Sequence, residues 1–300
     1  MKRIPLAPTI MTLGNVFCGF VSIGFILRAQ AAWSSTHDMA LFGRWIGLAG
    51  WFIFFGMVFD ALDGKVARLS RASSNFGEEL DSLADVISFG VAPALMVKVL
   101  AAQQRFLPQV AWATSVLFLV CATLRLARFN VETSKEEEAH LYFKGLPTPA
   151  AAGFIAALTI MFYELREEAA GGENLAAIAR AMAPVLDGLL YAMPFVAVVL
   201  AVLMVSNVRY PHALNTVFRR RQPLSYLVSL LLIVFIAWLT KPFSLPVFMV
   251  AYILIGIVSA IKNRIYPAQQ KRQPVRAQHR PVDDEDDNGK AAKTEGSVRR

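Results

Sequence analysis

The chain has 300 residues, of which 56% are hydrophobic and 17% charged, and its mean hydropathy is +0.47. Soluble globular domains carry about 25% charged residues, so this composition excludes an ordinary soluble protein and predicts an integral membrane protein. The net charge of +8 does not indicate nucleic-acid binding, because the basic residues lie between apolar runs and report membrane topology.

Apolar runs of nearly membrane-spanning length recur from near the N-terminus to about residue 262. A helix needs about 20 such residues to cross a bilayer. We therefore predict an all-α, polytopic membrane protein with about eight transmembrane helices, at 10–28, 40–62, 78–100, 108–127, 147–164, 183–206, 223–240 and 243–262. Lys2 and Arg3 precede the first run as in a secretory signal, but no small-residue cleavage site follows, so a retained first helix is expected.

The composition changes near the C-terminus. We predict one transmembrane catalytic domain at 1–265 and a polar, disordered cytoplasmic tail at 266–300, which contains "PVDDEDDNGKAAKTEGSVRR" and has nothing to bury. Cys18 and Cys121 lie inside apolar helices and are expected to be packing residues without a disulfide. The four histidines show no metal-ligand spacing.

The distribution of positive charge predicts the orientation. If eight spans have both termini in the cytoplasm, 23 of the 30 lysines and arginines fall on the cytoplasmic side, and when the tail is left out 13 still do, against 6 outside. This is the bias of the positive-inside rule. The same assignment places the polar segments at 60–85 and 125–146 on the cytoplasmic side.

Four aspartates occur in residues 60–85, "DALDGKVARLSRASSNFGEELDSLAD". Asp60 and Asp63 are three apart, and Asp81 and Asp85 are four apart, so each pair shares one helical face. Solvated acids at helix ends would also fit, but these continue into apolar sequence, where ionisable groups are costly and usually functional. Divalent cations would neutralise such a group, and two Mg²⁺ or Mn²⁺ ions can clamp a phosphoryl displacement. The spacing thus predicts a metal-dependent site for a phosphate ester.

Other residues near these aspartates suit a phosphorylated ligand. Gly64 and Gly77 allow close approach of a ligand at the two helix ends. Arg68, one turn beyond Gly64, is placed to bind a diphosphate oxygen. Asn15 is a polar residue inside the first helix, where it either approaches the nucleotide or makes a helix-to-helix hydrogen bond.

"DALDGKVAR" and "GEELDSLAD" together resemble the signature of the CDP-alcohol phosphatidyltransferases at every defining position. The resemblance implies the fold of that family and a two-metal site. It implies that Asp60, Asp63 and Asp81 are metal ligands, and that Asp85 is the catalytic base, a further metal ligand, or both. It also implies a CDP site lined by Gly64, Ala67, Arg68 and, as a further diphosphate contact, Ser74.

Four other segments resemble the bacterial phosphatidylserine synthases of this family: "PTIMTLGNVFCGF", "LRLARFNV", "FKGLPTPAAAG" and "MVSNVRYP". This likeness covers roughly residues 5–212. It implies CDP-diacylglycerol and L-serine as substrates and a multi-pass location in the bacterial inner membrane, with the active site cytoplasmic. Members of the family are often dimeric, so it also implies a homodimer.

Serine brings a carboxylate, an ammonium group and the attacking hydroxyl. A buried pocket needs a cation for the carboxylate, and arginine offers a bidentate fork. We expect the acceptor to be held by Arg125, Arg128, Asn130 and Lys144. Two alternatives stay open: the arginines share the diphosphate with Arg68, or they are positive-inside anchors.

Two other functions compete with this one. A sibling transferase would use glycerol 3-phosphate or an inositol phosphate as the acceptor. A divalent-cation transporter would also contain intramembrane carboxylates, but we would expect them distributed across the membrane depth, with inverted repeats. The aspartates instead cluster at one side.

Overall fold

The computed structural model describes residues 6–70, 75–133, 142–171, 176–211 and 243–265. The first half of the bundle contains helices α1 (Leu6–Thr36), α2 (Met39–Ser70), α3 (Asn75–Asp85), α4 (Ala92–Gln103) and α5 (Pro108–Thr133), with a π-helical segment, Val86–Val91, between α3 and α4. The second half contains strand β1 (Tyr142–Lys144), helices α6 (Thr148–Gly171), α7 (Ala176–Tyr191) and α8 (Met193–Val205), strand β2 (Arg209–Pro211) and helix α9 (Ser244–Ile265). The tail predicted at 266–300 lies outside the described residues.

Five segments are long and apolar enough to cross a bilayer: Thr9–Thr36, Met39–Gly64, Phe76–Gln103, Pro108–Val131 and Thr148–Gly171. A sixth candidate is broken, because α7 and α8 meet at an angle of 54°. The apolar part of α9, Ser244–Val258, is shorter. The run predicted at 223–240 lies outside the described residues, so the count of eight stays a prediction, while the all-helical, multi-pass architecture is confirmed.

Helix α1 shows how the bundle suits a membrane. Its exposed side chains are large and apolar, including Phe17 and Phe20, which are 63% and 72% exposed. Its polar side chains Thr12, Asn15 and Ser22 are instead buried against other helices. Polar groups inside and apolar groups outside is the arrangement that hydrocarbon favours, because lipid cannot satisfy a hydrogen-bonding group.

The third span is continuous from α3 through the π-helical segment into α4. A π turn is wider than an α turn and often marks a functional site. Here the turn begins directly after Asp85 and buries Ser88, Phe89 and Gly90 inside the bundle. The π-helical segment therefore connects the part of the span that carries Asp81 and Asp85 to α4.

Alternating helix directions collect the polar ends of the sequence at one end of the bundle. Because successive spans run in opposite directions, the start of α1, the end of α2 and the start of α3 lie on the same side as the end of α5 and the start of α6. Helix α1 packs along α2 and also contacts α3 and the π-helical segment. We call this end of the bundle the aspartate end.

A short antiparallel ladder is the one departure from an all-helical fold in the described ranges. Its register pairs Tyr142 with Pro211 and Lys144 with Arg209. Next to it, the Gly145 N–H donates to the Val208 carbonyl at 2.7 Å. Gly145 has φ +82°, and a Cβ there would lie 3.1 Å from the carbonyl carbon of Met204, so glycine allows this close approach. The ladder joins the segment before α6 to the segment after α8.

The contact between α1 and the π-helical segment depends on Gly19. A Cβ at Gly19 would lie 2.9 Å from Ser88 Cα and closer still to Ser88 Oγ, whereas one at Gly24 would meet no atom within 4 Å. We expect Gly19→Ala to lower the Tm in detergent, because overpacking costs about 1–3 kcal/mol. Gly24→Ala on the same helix is the control and should leave the Tm unchanged or raise it. Equal Tm values for the two variants would contradict this packing.

Candidate active site

Three carboxylates meet at the aspartate end. Asp60 in the last part of α2 and Asp81 and Asp85 in α3 each offer a carboxylate oxygen, and these oxygens lie within 4.8 Å of one another. Asp85 is buried, with 8% of its surface exposed. Asp81 Oδ1 is buried and has no hydrogen-bond partner among the described residues. We call Asp60, Asp81 and Asp85 the carboxylate cluster.

Asp63, the fourth predicted ligand, is held by α1 and is not part of this cluster. The Thr12 hydroxyl donates to Asp63 Oδ2, and both residues are buried. Asp63 is one helical turn from Asp60, so it borders the cluster from the same helix. The structure thus gives Asp63 a protein partner that the sequence analysis did not identify.

Asn15 contacts Asp85 directly. Its Nδ2 donates to Asp85 Oδ1 at 3.1 Å, which joins α1 to the end of α3. Of the two alternatives predicted for Asn15, this contact is the helix-to-helix hydrogen bond. One turn before it on the same face of α1, Thr12 bonds to Asp63 on α2.

Arg125 in α5 is the buried cation next to the cluster. It is 8% exposed, its Nη1 donates to Thr148 Oγ1 at 3.2 Å, and its guanidinium lies 5.3 Å from the ring centre of Phe129. It is also near enough to Asp60 and Asp85 to interact with them electrostatically. A buried guanidinium beside the buried Asp85 and the half-buried Asp60 offsets part of the repulsion between the two carboxylates.

The other predicted acceptor residues lie at the edge of the site. Arg128 Nη2 donates to Asn207 Oδ1 at 2.9 Å, and its Nη1 lies 3.5 Å from the Val205 carbonyl oxygen, so it connects α5 to the end of α8. Asn130 Nδ2 donates to Ser82 Oγ at 2.8 Å, next to Asp81. Lys144 lies in β1, opposite Arg209. Roles for Arg128, Asn130 and Lys144 in acceptor binding stay predictions.

The predicted CDP-binding residues lie where α2 ends. Gly64 follows Asp63 directly, and a Cβ there would meet no heavy atom of the described residues within 4 Å. Ala67 and Arg68 belong to the last turns of α2, and their side chains are not described. Ser74 lies outside the described residues. These assignments stay predictions.

The donor set suits a hard divalent cation. Carboxylate oxygens are the ligands that Mg²⁺ and Mn²⁺ prefer, and the buried Asp81 Oδ1, which has no hydrogen-bond donor among the described residues, suits a cation. Asp60, Asp81 and Asp85 therefore fit a divalent metal ion. In the described ranges, this is the one group of three or more acidic, cysteine or histidine side chains close enough to bind a metal together.

Sequence reasoning missed three residues that support the site. They are Thr12, which donates a hydrogen bond to Asp63, Thr148, which accepts one from Arg125, and Asn207, which accepts one from Arg128. A signal existed for Thr12, because it lies three residues before Asn15 in an apolar run and shares a helical face with it. Thr148 and Asn207 lie in segments that carry the family resemblance, but they are 23 and 79 residues from their partners, so only the tertiary fold reveals these pairings.

Comparison with known proteins finds a matching family model and relatives of this chain. A family model described as CDP-alcohol phosphatidyltransferase matches residues 5–202. The chain is 30% identical over 254 residues to a Helicobacter pylori protein named CDP-diacylglycerol–serine O-phosphatidyltransferase, covering 84% of this chain and 90% of that protein. A Saccharomyces cerevisiae protein of the same name is 38% identical over 160 residues, which cover 52% of this chain and 53% of that protein. A Bacillus subtilis protein of the same name is 34% identical over 155 residues, which cover 52% of this chain and 76% of that protein.

The Thr12 hydrogen bond is testable. We expect Thr12→Val, which removes the hydroxyl at nearly constant volume, to destabilise the protein by about 1–3 kcal/mol, because Asp63 then loses a buried donor. Thr12→Ser should recover most of that loss. The measurement is the midpoint of thermal unfolding in detergent, with circular dichroism at 20 °C to confirm helical content. Equal midpoints for valine and serine would show that the hydroxyl contributes nothing.

Proposed function

The chain belongs to the CDP-alcohol phosphatidyltransferase family, and we propose that it transfers the phosphatidyl group of CDP-diacylglycerol to the hydroxyl of L-serine, releasing CMP. The observation that carries the proposal is the carboxylate cluster at the end of an apolar bundle. The choice of serine is supported by relatives that are named CDP-diacylglycerol–serine O-phosphatidyltransferase, and the chain matches 90% of the length of one of them. The shared signature alone does not select the acceptor.

Members of this family generally depend on divalent metal ions. We propose that Asp60, Asp63, Asp81 and Asp85 hold two ions, Mg²⁺ or Mn²⁺, with the carboxylate cluster as the centre of the site. Such ions, when bound, neutralise negative charge on the diphosphate and on the departing CMP. Without a cation or substrate, the buried Asp81 oxygen has no donor within the described residues.

The residues of the chain have separate tasks in the reaction. Gly64, Ala67 and Arg68 at the end of α2 bind the CDP part of the donor, and Ser74 is a further diphosphate contact. Asp85 accepts the proton of the serine hydroxyl as that oxygen bonds to the phosphorus bearing diacylglycerol. The bond from this phosphorus to the CMP oxygen breaks, and CMP leaves. Holding both substrates in this geometry contributes much of the rate acceleration.

The acceptor pocket is proposed to lie between α5 and α6. Arg125 is the cation for the serine carboxylate, because it is buried, near Asp85, and anchored by Thr148 at the start of α6. A guanidinium presents its donors in a planar fork, which suits bidentate contact with a carboxylate. Arg128, Asn130 and Lys144 complete the rim of this pocket.

The lipid substrate is proposed to enter sideways from the inner leaflet. The exposed surfaces of the helices are apolar, so acyl chains remain in lipid while the diphosphate reaches the aspartate end. We propose that the aspartate end is cytoplasmic in the bacterial inner membrane, because the basic residues near it follow the positive-inside rule. We also propose that the protein forms a homodimer.

We expect Asp60→Asn, Asp63→Asn and Asp81→Asn each to lower CMP release by roughly 10²-fold or more, because each removes negative charge from the cation site. Stabilisation of the protein by Mn²⁺ distinguishes a loss of metal binding from a general loss of folded protein. Mn²⁺ at about 100 times its Kd should stabilise the unsubstituted protein by about 2.7 kcal/mol, and this stabilisation should largely disappear in Asp81→Asn.

Asp187→Asn is the matched control for these variants. Asp187 lies in α7, is 58% exposed at its side chain, and forms a surface ion pair with Arg166 at 3.1 Å. The Asp187→Asn variant should keep normal CMP release and should still be stabilised by Mn²⁺, because exposed ion pairs contribute little to stability. Normal CMP release from any of the three aspartate variants would remove that residue from the proposed metal site.

The acceptor is tested with the purified protein, CDP-diacylglycerol and Mn²⁺ or Mg²⁺, by measuring CMP release with serine, glycerol 3-phosphate or inositol phosphate. We expect release with serine only. Release with another acceptor would keep the family assignment and reject serine. Release with none of the three would contradict the proposed transferase activity and leave a cation transporter to be tested.

Arg125→Lys tests the acceptor pocket. Lysine keeps the charge but lacks the planar fork, so we expect the KM for serine to rise roughly tenfold to a hundredfold while the KM for CDP-diacylglycerol stays unchanged. Arg166→Lys, an exposed arginine in α6, is the control. A rise in the KM for CDP-diacylglycerol instead would assign Arg125 to the diphosphate.

A further inference from the structure

Asn15 is completely buried in α1 and holds the segment around Asp85 at two points. Its Nδ2 donates to Asp85 Oδ1 at 3.1 Å. Its backbone carbonyl accepts a hydrogen bond from Ser88 Oγ at 2.9 Å, one turn further along the third span. The first bond acts on the carboxylate and the second on the π-helical segment that follows it.

The orientation of the Asn15 amide is determined by its surroundings. A flipped amide would place Oδ1 against Asp85 Oδ1, and these two acceptors repel when Asp85 is ionised, so the ionised carboxylate favours the orientation in which Nδ2 donates. On the other side, α2 closes over the amide, because a Cβ at Gly56 would lie 3.0 Å from Asn15 Oδ1. The amide is therefore confined between the backbone of α2 and Asp85.

Packing alone does not account for an asparagine at this position. Asn15 Oδ1 is buried and finds no hydrogen-bond partner in the part of the chain that the structure describes. Leaving a polar atom buried in this way costs about 1–3 kcal/mol, which an apolar side chain of similar volume would avoid. The compensating interaction is the hydrogen bond to Asp85.

We propose that Asn15 is a positioning residue for Asp85. Its bond to Oδ1 restricts rotation of the Asp85 carboxylate, so that this group keeps its place beside Asp60 and Asp81 before any ligand binds. This inference rests on the proposed function, in which these carboxylates bind metal. It differs from the expectation that Asn15 contacts the nucleotide, because a nucleotide contact would have no effect until CDP binds.

The experiment measures Mn²⁺ binding by electron paramagnetic resonance in the absence of nucleotide. Residues that orient metal ligands typically change metal affinity by 10-fold to 100-fold. We expect Asn15→Ala to weaken Mn²⁺ binding by this factor, and Asn15→Leu, which fills the volume, to do the same. Agreement between the two variants separates the lost hydrogen bond from a cavity, and Asn15→Leu also serves if Asn15→Ala does not fold.

Ser22→Ala is the matched control. Ser22 is also completely buried in α1, and its hydroxyl donates to the Ala49 carbonyl on α2 at 2.9 Å, away from the aspartates. It should leave Mn²⁺ affinity unchanged, although it too removes a buried bond between helices. In steady-state assays, Asn15→Ala should lower kcat while the KM for CDP-diacylglycerol stays constant.

Three results would overturn the inference, and they are distinguishable. Unchanged Mn²⁺ affinity in Asn15→Ala with weaker CDP binding would make Asn15 a nucleotide contact. Unchanged affinity for both would leave only a packing role. Absence of Mn²⁺ binding in the unsubstituted protein would contradict the proposed metal site itself, and with it the inference that depends on it.

Discussion

The structure depends on placing several carboxylates at the end of an apolar helix bundle. Two like charges about 4 Å apart repel by on the order of 4 kcal/mol at an effective dielectric constant of about 20. Asp60, Asp81 and Asp85 are about that close and come from two helices. Packing between α2, α3 and their neighbours must therefore hold together groups that repel each other, and a bound cation would convert this repulsion into attraction.

Helix α1 connects the packing of the bundle to the geometry of the site. Its inner face carries small and polar residues, so it can approach α2 and the π-helical segment closely and still form hydrogen bonds with them. Thr12 and Asn15 each donate to one aspartate, on different helices. A helix without a signature residue thus determines how two signature residues are oriented, while its outer face meets lipid.

Local spacing could be read from the sequence, and long-range pairing could not. The intervals between aspartates fixed shared helical faces, and alternating spans predicted that polar ends would meet at one side. The run at 183–206 was predicted as one helix, whereas the structure breaks it into α7 and α8 before Pro194. The partner of Arg128 lies 79 residues away on the segment after α8, which no local pattern indicates.

The division of the site between helices explains why one signature accompanies several acceptors. The aspartates lie on α2 and α3, whereas Arg125 lies on α5 and is anchored by Thr148 on α6. Side chains on α5 and α6 can therefore change without moving the carboxylates. Specificity for an acceptor is a difference in binding free energies, and with the proposed acceptor pocket it would come from side chains on α5 and α6. On that proposal, the signature reports the chemistry at phosphorus, and the α5–α6 side of the site selects the hydroxyl that attacks.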